Sequence, residues 1–577
     1  MAGSIISTDN AKCRDCYRCV RVCPVKAIRI SDGQARVESE RCILCGTCVR
    51  ECPQRAKHVR DDLGALRNIL SDNELVIASV APSFPAAFPE YGGGLLTAAL
   101  KSLGFSKVTE TAVGAEFVAS ATAKLLNENR GFGWITSACP VVVNIIEKYH
   151  TTATTKITPI VSPMVAHAKY LKRKYGKTAK IVFIGPCSAK KGEAEDEPTK
   201  SVDVVLTFEE LREFFVQENV NRAALKPMVF DDVRPPKAQL FPLEGGLAET
   251  ASISSELISE SFAALSGPDH VLQMIENALG ESPVRLFEAL FCSGGCVNGA
   301  CVGNHSDFFT RKNRILQHHK RGAFEPEEIL DPQAADGLDL VKAIEKQKVS
   351  MPEFSEEEIQ KVLLEIGKRG QDDELNCGAC GYGSCRENAI AVLSGMAESS
   401  MCLPWMRQLA ERKADQIIDN SPNGIVVVDG DFNILSFNPA FADMFSCSES
   451  IIGRPIGVLM DPGDFESVAA GVIARISGKT VVFPQYDLTA TASIYRLHNE
   501  NTFIGLYAKA ATSKEEENRI KRMRSETLEN AEQVIAKQMR MAQEIAGILG
   551  ETTSETRVLL RKLTELAQEQ DKPEGSK

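Results

Sequence analysis

Glu288-Ala289-Leu290-Phe291-Cys292-Ser293-Gly294-Gly295-Cys296-Val297-Asn298-Gly299 decides how this chain is read. Two cysteines flank two glycines, and a residue without a Cβ lets backbone close on an inorganic centre. Two further segments belong with it: Thr136-Ser137-Ala138-Cys139-Pro140, and Gly185-Pro186-Cys187-Ser188-Ala189-Lys190-Lys191-Gly192-Glu193. Four cysteines so far apart meet only if the fold gathers them, which suits one buried cluster. Lys190, three residues after Cys187, would set a cation beside anionic ligands. Taken singly, each cysteine reads better as a small buried hydrophobe. For the three segments together that reading is much weaker.

Around these motifs, residues 65–345 have an ordinary α/β composition. Apolar runs such as Leu75–Val80 and Ile181–Ile184 alternate with helix-like stretches such as Val142–Lys148. The whole chain has 577 residues, enough for three to five domains at roughly 100–200 residues each. A net charge of −11 gives no case for nucleic acid or an anionic membrane as a main partner. No run approaches the roughly 18 apolar residues of a membrane span. The first residues carry no basic-then-apolar leader, so a cytoplasmic location is expected. In a reducing compartment the 18 cysteines are expected to be ligands rather than disulfides.

Eight of them form two copies of C-x2-C-x2-C-x3-C-P, at Cys13, Cys16, Cys19 and Cys23, and at Cys42, Cys45, Cys48 and Cys52. Every offset is 29 residues, an internal duplication. Three closely spaced cysteines wrap one side of a cubane, and the fourth ligand comes from the opposite repeat. Cys13, Cys16, Cys19 and Cys52 are therefore assigned to one [4Fe–4S] cluster, and Cys23, Cys42, Cys45 and Cys48 to the other. Zinc is the alternative, although zinc ribbons use cysteine pairs. The segment resembles bacterial two-cluster ferredoxins.

The three central motifs resemble the active-site signatures of iron-only ([FeFe]) hydrogenases, across roughly residues 65–345. The resemblance implies an H-cluster, a [4Fe–4S] cubane joined to a diiron subsite with CO, CN⁻ and an azadithiolate bridge. It implies that Cys139, Cys187, Cys292 and Cys296 hold the cubane, with Cys296 bridging to the diiron unit. Lys190 would hydrogen-bond one cyanide. Ala81-Pro82-Ser83 matches the segment around the other, with Pro82 in the site and Ser83 a donor. Glu193 would be the partner of Lys190.

The departures from the family pattern bear on rate. Catalytic members read Thr-Ser-Cys-Cys-Pro, where the first cysteine relays protons; here Ala138 stands at that position. Gly185 and Leu290 replace two methionines. The relay helix aligns with Val113–Leu125, where Ala121 and Thr122 stand in place of acids. A positioned proton-transfer group contributes about 10²–10⁴-fold in rate, so slow turnover is expected.

Cys377-Gly378-Ala379-Cys380-Gly381-Tyr382-Gly383-Ser384-Cys385 with Cys402 resembles a small [4Fe–4S] domain, zinc again being the alternative. The charged stretch at 350–375 before it reads as a helix or linker. Residues 409–512 resemble a PAS domain, on Ile417–Asp429, a turn at Gly430, and Ile434–Phe441; its ligand is open, and the lone His498 reads better as an ordinary histidine than as a haem ligand. Beyond residue 512, two mostly apolar rows at heptad spacing, starting at Leu528 and Ala531, favour a dimeric coiled coil over packing within the chain. A polar tail from Gln568 reads as disordered. No histidine follows His498, so the output must pass to another protein. Cys301 and Cys447 are left over and read best as structural residues, Cys447 in the PAS core; Cys301 is the spare thiol near enough in sequence to be the alternative candidate for a substitute proton carrier.

The expected fold is multidomain, α+β and α/β: a ferredoxin domain (1–62), an H-cluster domain (63–350), a four-cysteine iron–sulfur domain (351–408), a PAS domain (409–512) and a coiled-coil helix with its tail (513–577). The expected function is dihydrogen sensing by a slow [FeFe]-hydrogenase of sensory type. Its expected partners are dihydrogen, protons, a ferredoxin-like redox protein, a signalling kinase or phosphatase, and a second copy of the chain. The alternatives are a catalytic ferredoxin-linked hydrogenase, and a hydrogenase-like iron–sulfur protein without a diiron site.

Overall fold

The computed structural model describes residues 4–510 apart from 73–74, 93, 129–132, 236, 254–261, 281, 304–305, 322–325 and 498–500. The expected coiled coil, the polar tail and His498 lie outside the described residues. The chain divides into two compact units, Met1–Ser399 and Ser400–Lys577. Among the described residues no helix is long and apolar enough to cross a membrane.

The first unit begins with the duplicated segment, and the duplication is visible in the backbone. Ile6–Thr8 pairs antiparallel with Lys57–Val59, and Ile28–Ser31 with Gln34–Val37. Asp15 and Leu44 have φ of 52° and 62°, Tyr17 and Gly46 have 55° and 73°, and Lys26 and Arg55 have 48° and 49°. Left-handed residues are uncommon outside glycine, so three such pairs at a spacing of 29 residues mean that both loops obey one template. In both repeats the last cysteine accepts a backbone N–H four residues on: Ala27 to Cys23 Sγ at 3.2 Å and Ala56 to Cys52 Sγ at 3.3 Å.

The middle of the unit holds two parallel sheets. One has four strands in the order Lys107–Glu110, Val76–Val80, Lys180–Gly185, Val204–Thr207. The other runs Phe262–Ser266, Leu286–Leu290, Trp134–Ile135. Parallel strands need crossover helices on their faces, which is why runs such as Val76–Val80 are buried at every position. The helices Ala112–Glu128 and Pro163–Tyr175 provide part of that cover. In open α/β sheets the loops at the carboxyl ends of strands form the binding crevice. Here Val80 leads to Pro82 and Ser83, Ile135 to Cys139, Gly185 to Cys187, and Leu290 to Cys292. One topological rule thus brings motifs more than 200 residues apart to a common place.

The charged stretch before the last cysteine group is a helix, Glu356–Glu365, opened by a capping box between Ser355 and Glu358. In the second unit, helix Leu403–Asp419 precedes a five-stranded antiparallel sheet, ordered Ile434–Phe437, Gly424–Val428, Phe503–Lys509, Leu488–Arg496, Arg475–Phe483. Its interior is filled by Phe441, Phe445, Phe465, Phe503 and Tyr507. Asn438 ties the first strands together. Its Oδ1 accepts from Ile425 N and Phe441 N, and its Nδ2 donates to Ile418 O and Asn423 O. Cys447 packs against this core.

Candidate metal centre

Cys139, Cys187, Cys292 and Cys296 surround a cavity of about 100 Å³ in the first unit. Among the described residues no three His, Cys, Asp or Glu side chains converge as ligands of a single ion. The four thiols stand around a space, which suits a cluster of several atoms better than one ion. Burial pushes Cys187 up to about 11 and Cys296 up to about 12, the neighbouring thiols adding to both while Lys190 opposes. Cys292 is raised by burial and by Cys187, Cys296 and Cys139. Thiols in such a place ionise when cationic metal binds them, so this donor set fits an iron–sulfur centre.

The loop between Cys292 and Cys296 is possible only with glycine. Gly294 and Gly295 have φ of 78° and 99°. A Cβ on Gly295 would stand 2.2 Å from Pro242 O, and one on Gly294 2.4 Å from the Phe308 ring. Both cysteines are thereby drawn under Phe241 and Pro242, which close the cavity on that side.

Lys190 lies on helix Ala189–Asp196 and lines the cavity. Its Nζ donates to Glu193 Oε2 at 2.7 Å and reaches the Ala138 carbonyl at 3.5 Å. Ser162 Oγ donates to the same Glu193 oxygen at 3.0 Å, and Lys342 Nζ stands 3.8 Å from Oε1. Burial works against ionisation of Glu193, yet Lys190 and Lys342 hold its carboxyl below the ordinary range. The sequence reading missed Ser162 and Lys342. Ser162 precedes a helix, and Lys342 lies in an irregular segment with no motif around it.

Pro82 and Ser83 also line the cavity. Ser83 Oγ is buried without a hydrogen-bond partner. A buried hydroxyl left unpaired costs about 1–3 kcal/mol, so this donor fits a ligand with an acceptor atom, such as a metal-bound cyanide.

Ala138 also lines the cavity and presents only a methyl group. The helix expected over Val113–Leu125 runs from Ala112 to Glu128. Ala121 carries no polar group, and Thr122 turns its hydroxyl back onto Val118 O at 2.7 Å. Cys301 is fully buried and does not line the cavity, and burial raises its thiol further. It therefore cannot serve as a carrier at the cavity wall.

The duplicated segment approaches the cavity through its second repeat. Cys45 is part of the wall, and Ser188 Oγ donates to Leu44 O at 2.7 Å. Lys148 Nζ and Tyr149 OH donate to Cys42 O and Arg41 O at 2.8 and 2.6 Å. Within this segment, burial pushes Cys19 up to about 12, and Cys16, Cys13 and Cys52 act on it. Cys48 is raised by burial and by Cys45, Cys42 and Cys23. Each set of three thus meets the last cysteine of the other repeat. The loop of Cys377, Cys380 and Cys385 packs on the first repeat: a Cβ on Gly381 would stand 2.8 Å from Val20 Cγ1. Arg21 donates to Ala379 O and to Cys16 O, both at 2.9 Å. Cys402 belongs to the second unit, as the residue before helix Leu403–Asp419.

Residues 74–300 match the family described as iron only hydrogenase large subunit, C-terminal domain. Residues 5–53 match a 4Fe-4S dicluster domain, 373–404 an iron–sulfur cluster family, and 413–477 a PAS domain. The chain therefore carries an H-cluster-type hydrogenase domain, a ferredoxin-like iron–sulfur domain and a PAS domain. Iron hydrogenase 1 of Clostridium pasteurianum is 24% identical over 299 residues, 42% of this chain and 52% of that protein. The chain thus spans about half the length of this curated relative. A variant of [FeFe]-hydrogenase HydA1 from Chlamydomonas reinhardtii superposes with a TM-score of 0.39 at 17% identity, over 49% of this chain and 99% of that one. The PAS domain of an HTR-like protein from Haloarcula marismortui covers 18% of this chain and 99% of its own, at 20% identity and a TM-score of 0.16.

Proposed function

We propose that this protein senses dihydrogen at a slow [FeFe]-hydrogenase site and passes the signal through its PAS domain to a partner protein. One observation carries the reading: a single cavity presents four cysteines, Lys190 and the unpaired Ser83 Oγ, while the wall at Ala138 offers no proton carrier. Cys139, Cys187, Cys292 and Cys296 would hold the H-cluster. When bound, that group supplies an open iron position for the reversible heterolysis of dihydrogen to protons and electrons.

The chain's own residues do the rest. Lys190, fixed by Glu193, and Ser83 donate hydrogen bonds into the cavity and orient what sits there. Pro82, Phe241 and Pro242 keep water from it. Ala138 cannot hold a proton, and the missing relay slows turnover. Cys13, Cys16, Cys19 and Cys52 hold one relay cluster, Cys23, Cys42, Cys45 and Cys48 a second, and Cys377, Cys380, Cys385 and Cys402 a third. The redox state of these relays is read by the PAS domain. The signal then passes through a dimeric C-terminal coil to a kinase or phosphatase, with a ferredoxin-like protein as electron partner in the cytoplasm.

Infrared spectra of protein matured with the diiron cofactor test the site. CO and CN⁻ stretching bands with slow turnover are expected; their absence overturns the reading in favour of a hydrogenase-like protein without a diiron unit. Bands with fast turnover that Ala138→Cys leaves unchanged would make it a catalytic hydrogenase. For the output step, hydrogen exchange in residues 515–567 is expected to differ under dihydrogen and argon, and identical protection rejects the coupling.

A further inference from the structure

A hydrogen-bonded chain of three buried side chains leads away from the cavity. Thr111, which follows strand Lys107–Glu110, lines the cavity. Its Oγ1 lies 2.8 Å from Ser79 Oγ, and Ser79 Oγ lies 2.8 Å from His167 Nδ1. Thr111, Ser79 and His167 are 2%, 1% and 0% exposed, so no solvent competes for these bonds. His167 Nε2 has no hydrogen-bond partner. An imidazole with one nitrogen in a hydroxyl chain and the other unclaimed can take a proton on one side and give it up on the other.

The packing fixes the ring. A Cβ on Gly114 would stand 2.3 Å from Pro163 O and 2.6 Å from His167 Cβ, so helices Ala112–Glu128 and Pro163–Tyr175 touch without clearance. Burial pushes His167 down to about 4, with Asp232 opposing. Asp232 Oδ2 is a second buried atom without a partner, while Oδ1 pairs with Lys174 Nζ at 2.6 Å. The Lys174 side chain is 37% exposed, so the Asp232–Lys174 pair, whose charge acts on His167, reaches the surface.

We infer that Thr111, Ser79 and His167 form a proton relay that serves the cavity in place of the carrier missing at Ala138. The inference rests on the hydrogenase reading of the cavity. A proton released there binds Thr111 Oγ1 as the Thr111 proton passes to Ser79 Oγ and the Ser79 proton to His167 Nδ1. The imidazolium then gives up its Nε2 proton toward Asp232. One proton enters, one leaves, and no electrons move. The two hydroxyls and the ring must rotate before the next passage, and in so tight a site that reset is slow. Slow passage suits a sensor, which needs few turnovers.

Two measurements test the relay. In the full chain without its cofactor, Thr111→Val is expected to shift the imidazole ¹⁵N resonances of His167, because Ser79 loses its other partner. Unchanged resonances mean that the three groups are not one chain, and overturn the relay whatever the cofactor content. In matured protein, Thr111→Val and His167→Phe are expected to lower exchange of dihydrogen with D₂O at least about tenfold. Conversion of para- to ortho-hydrogen, which needs no exit of the proton, should continue at the wild-type rate with CO and CN⁻ bands unmoved. Unchanged exchange in Thr111→Val with intact bands overturns the relay; absent bands in the wild type defeat the hydrogenase reading instead and leave the resonance test standing.

Discussion

At the cavity, Lys190 is held by Glu193, and Glu193 in turn by Ser162 and Lys342, so a part-buried cation is supported two layers deep. On the side of Thr136–Pro140, Ala138 contributes only a methyl group, and the helix that should carry acids has Ala121 and a Thr122 bonded back to its own turn. The two sets of side chains meet where Lys190 Nζ reaches the Ala138 carbonyl at 3.5 Å, yet they have different capacities. One can bind and orient an anionic group, and the other cannot pass a proton. Under the proposed function such a site would retain affinity while turnover fell, because binding and proton transfer would rest on separate side chains.

The largest effect should come from refurnishing the bare wall. Ala138→Cys is expected to raise turnover of matured protein by about 10²–10⁴-fold with its infrared bands in place; an unchanged rate would mean that proton transfer at this wall is not limiting. Breaking the furnished wall should be nearly as costly. Lys190→Ala leaves the Glu193 side chain buried with the Ser162 hydroxyl and the more distant Lys342 as its remaining partners, and urea denaturation should record a loss of about 3–5 kcal/mol. Equal stability would mean that Lys342 compensates fully.

The floor common to both walls gives a somewhat smaller effect. Gly295→Ala forces a Cβ against Pro242 O at a φ of 99°, and a loss of about 3 kcal/mol is expected on unfolding. Glu288, on the strand leading to that floor, is raised by burial to about 7 from its ordinary 4.5 even though Leu247 N and Ala248 N donate to it. Between those values the folded chain holds a proton that the unfolded chain has lost, so stability falls as pH rises through the window. Against Glu288→Gln, the wild type should lose about 2–3 kcal/mol between pH 4.5 and 7.5; parallel stability curves would show that Glu288 is not protonated in the fold.

Much of the metal centre was legible because ligand chemistry imposes local spacing. A cubane needs thiols at fixed separations, so Cys13–Cys23 and Cys42–Cys52 announce themselves, and the duplication reappears as paired left-handed residues. Ala138 was legible for the same reason, as a departure within a motif. Ser162, Lys342, Thr111 and His167 were not. Each lies in a segment with no pattern of its own, and its role depends on what a strand or helix distant in sequence brings beside it. Cys301, close to Cys296 in sequence, is fully buried but does not line the cavity, which the spacing of five residues could not reveal.

The amino-acid sequence by itself determined the parts: two ferredoxin repeats, a hydrogenase domain, a four-cysteine segment, a PAS domain, and an alanine at position 138. These are local facts, written in spacing and residue type. Tertiary structure decided which repeat faces the cavity, that the Cys377–Cys385 loop rests on the first repeat, and which side chains support Lys190. It also decided that a hydroxyl chain from Thr111 ends on a buried imidazole. The physical reason is that parallel strands collect their carboxyl-terminal loops in one crevice. Hydrogen bonds across that crevice join residues whose separation in the chain carries no information about their contact.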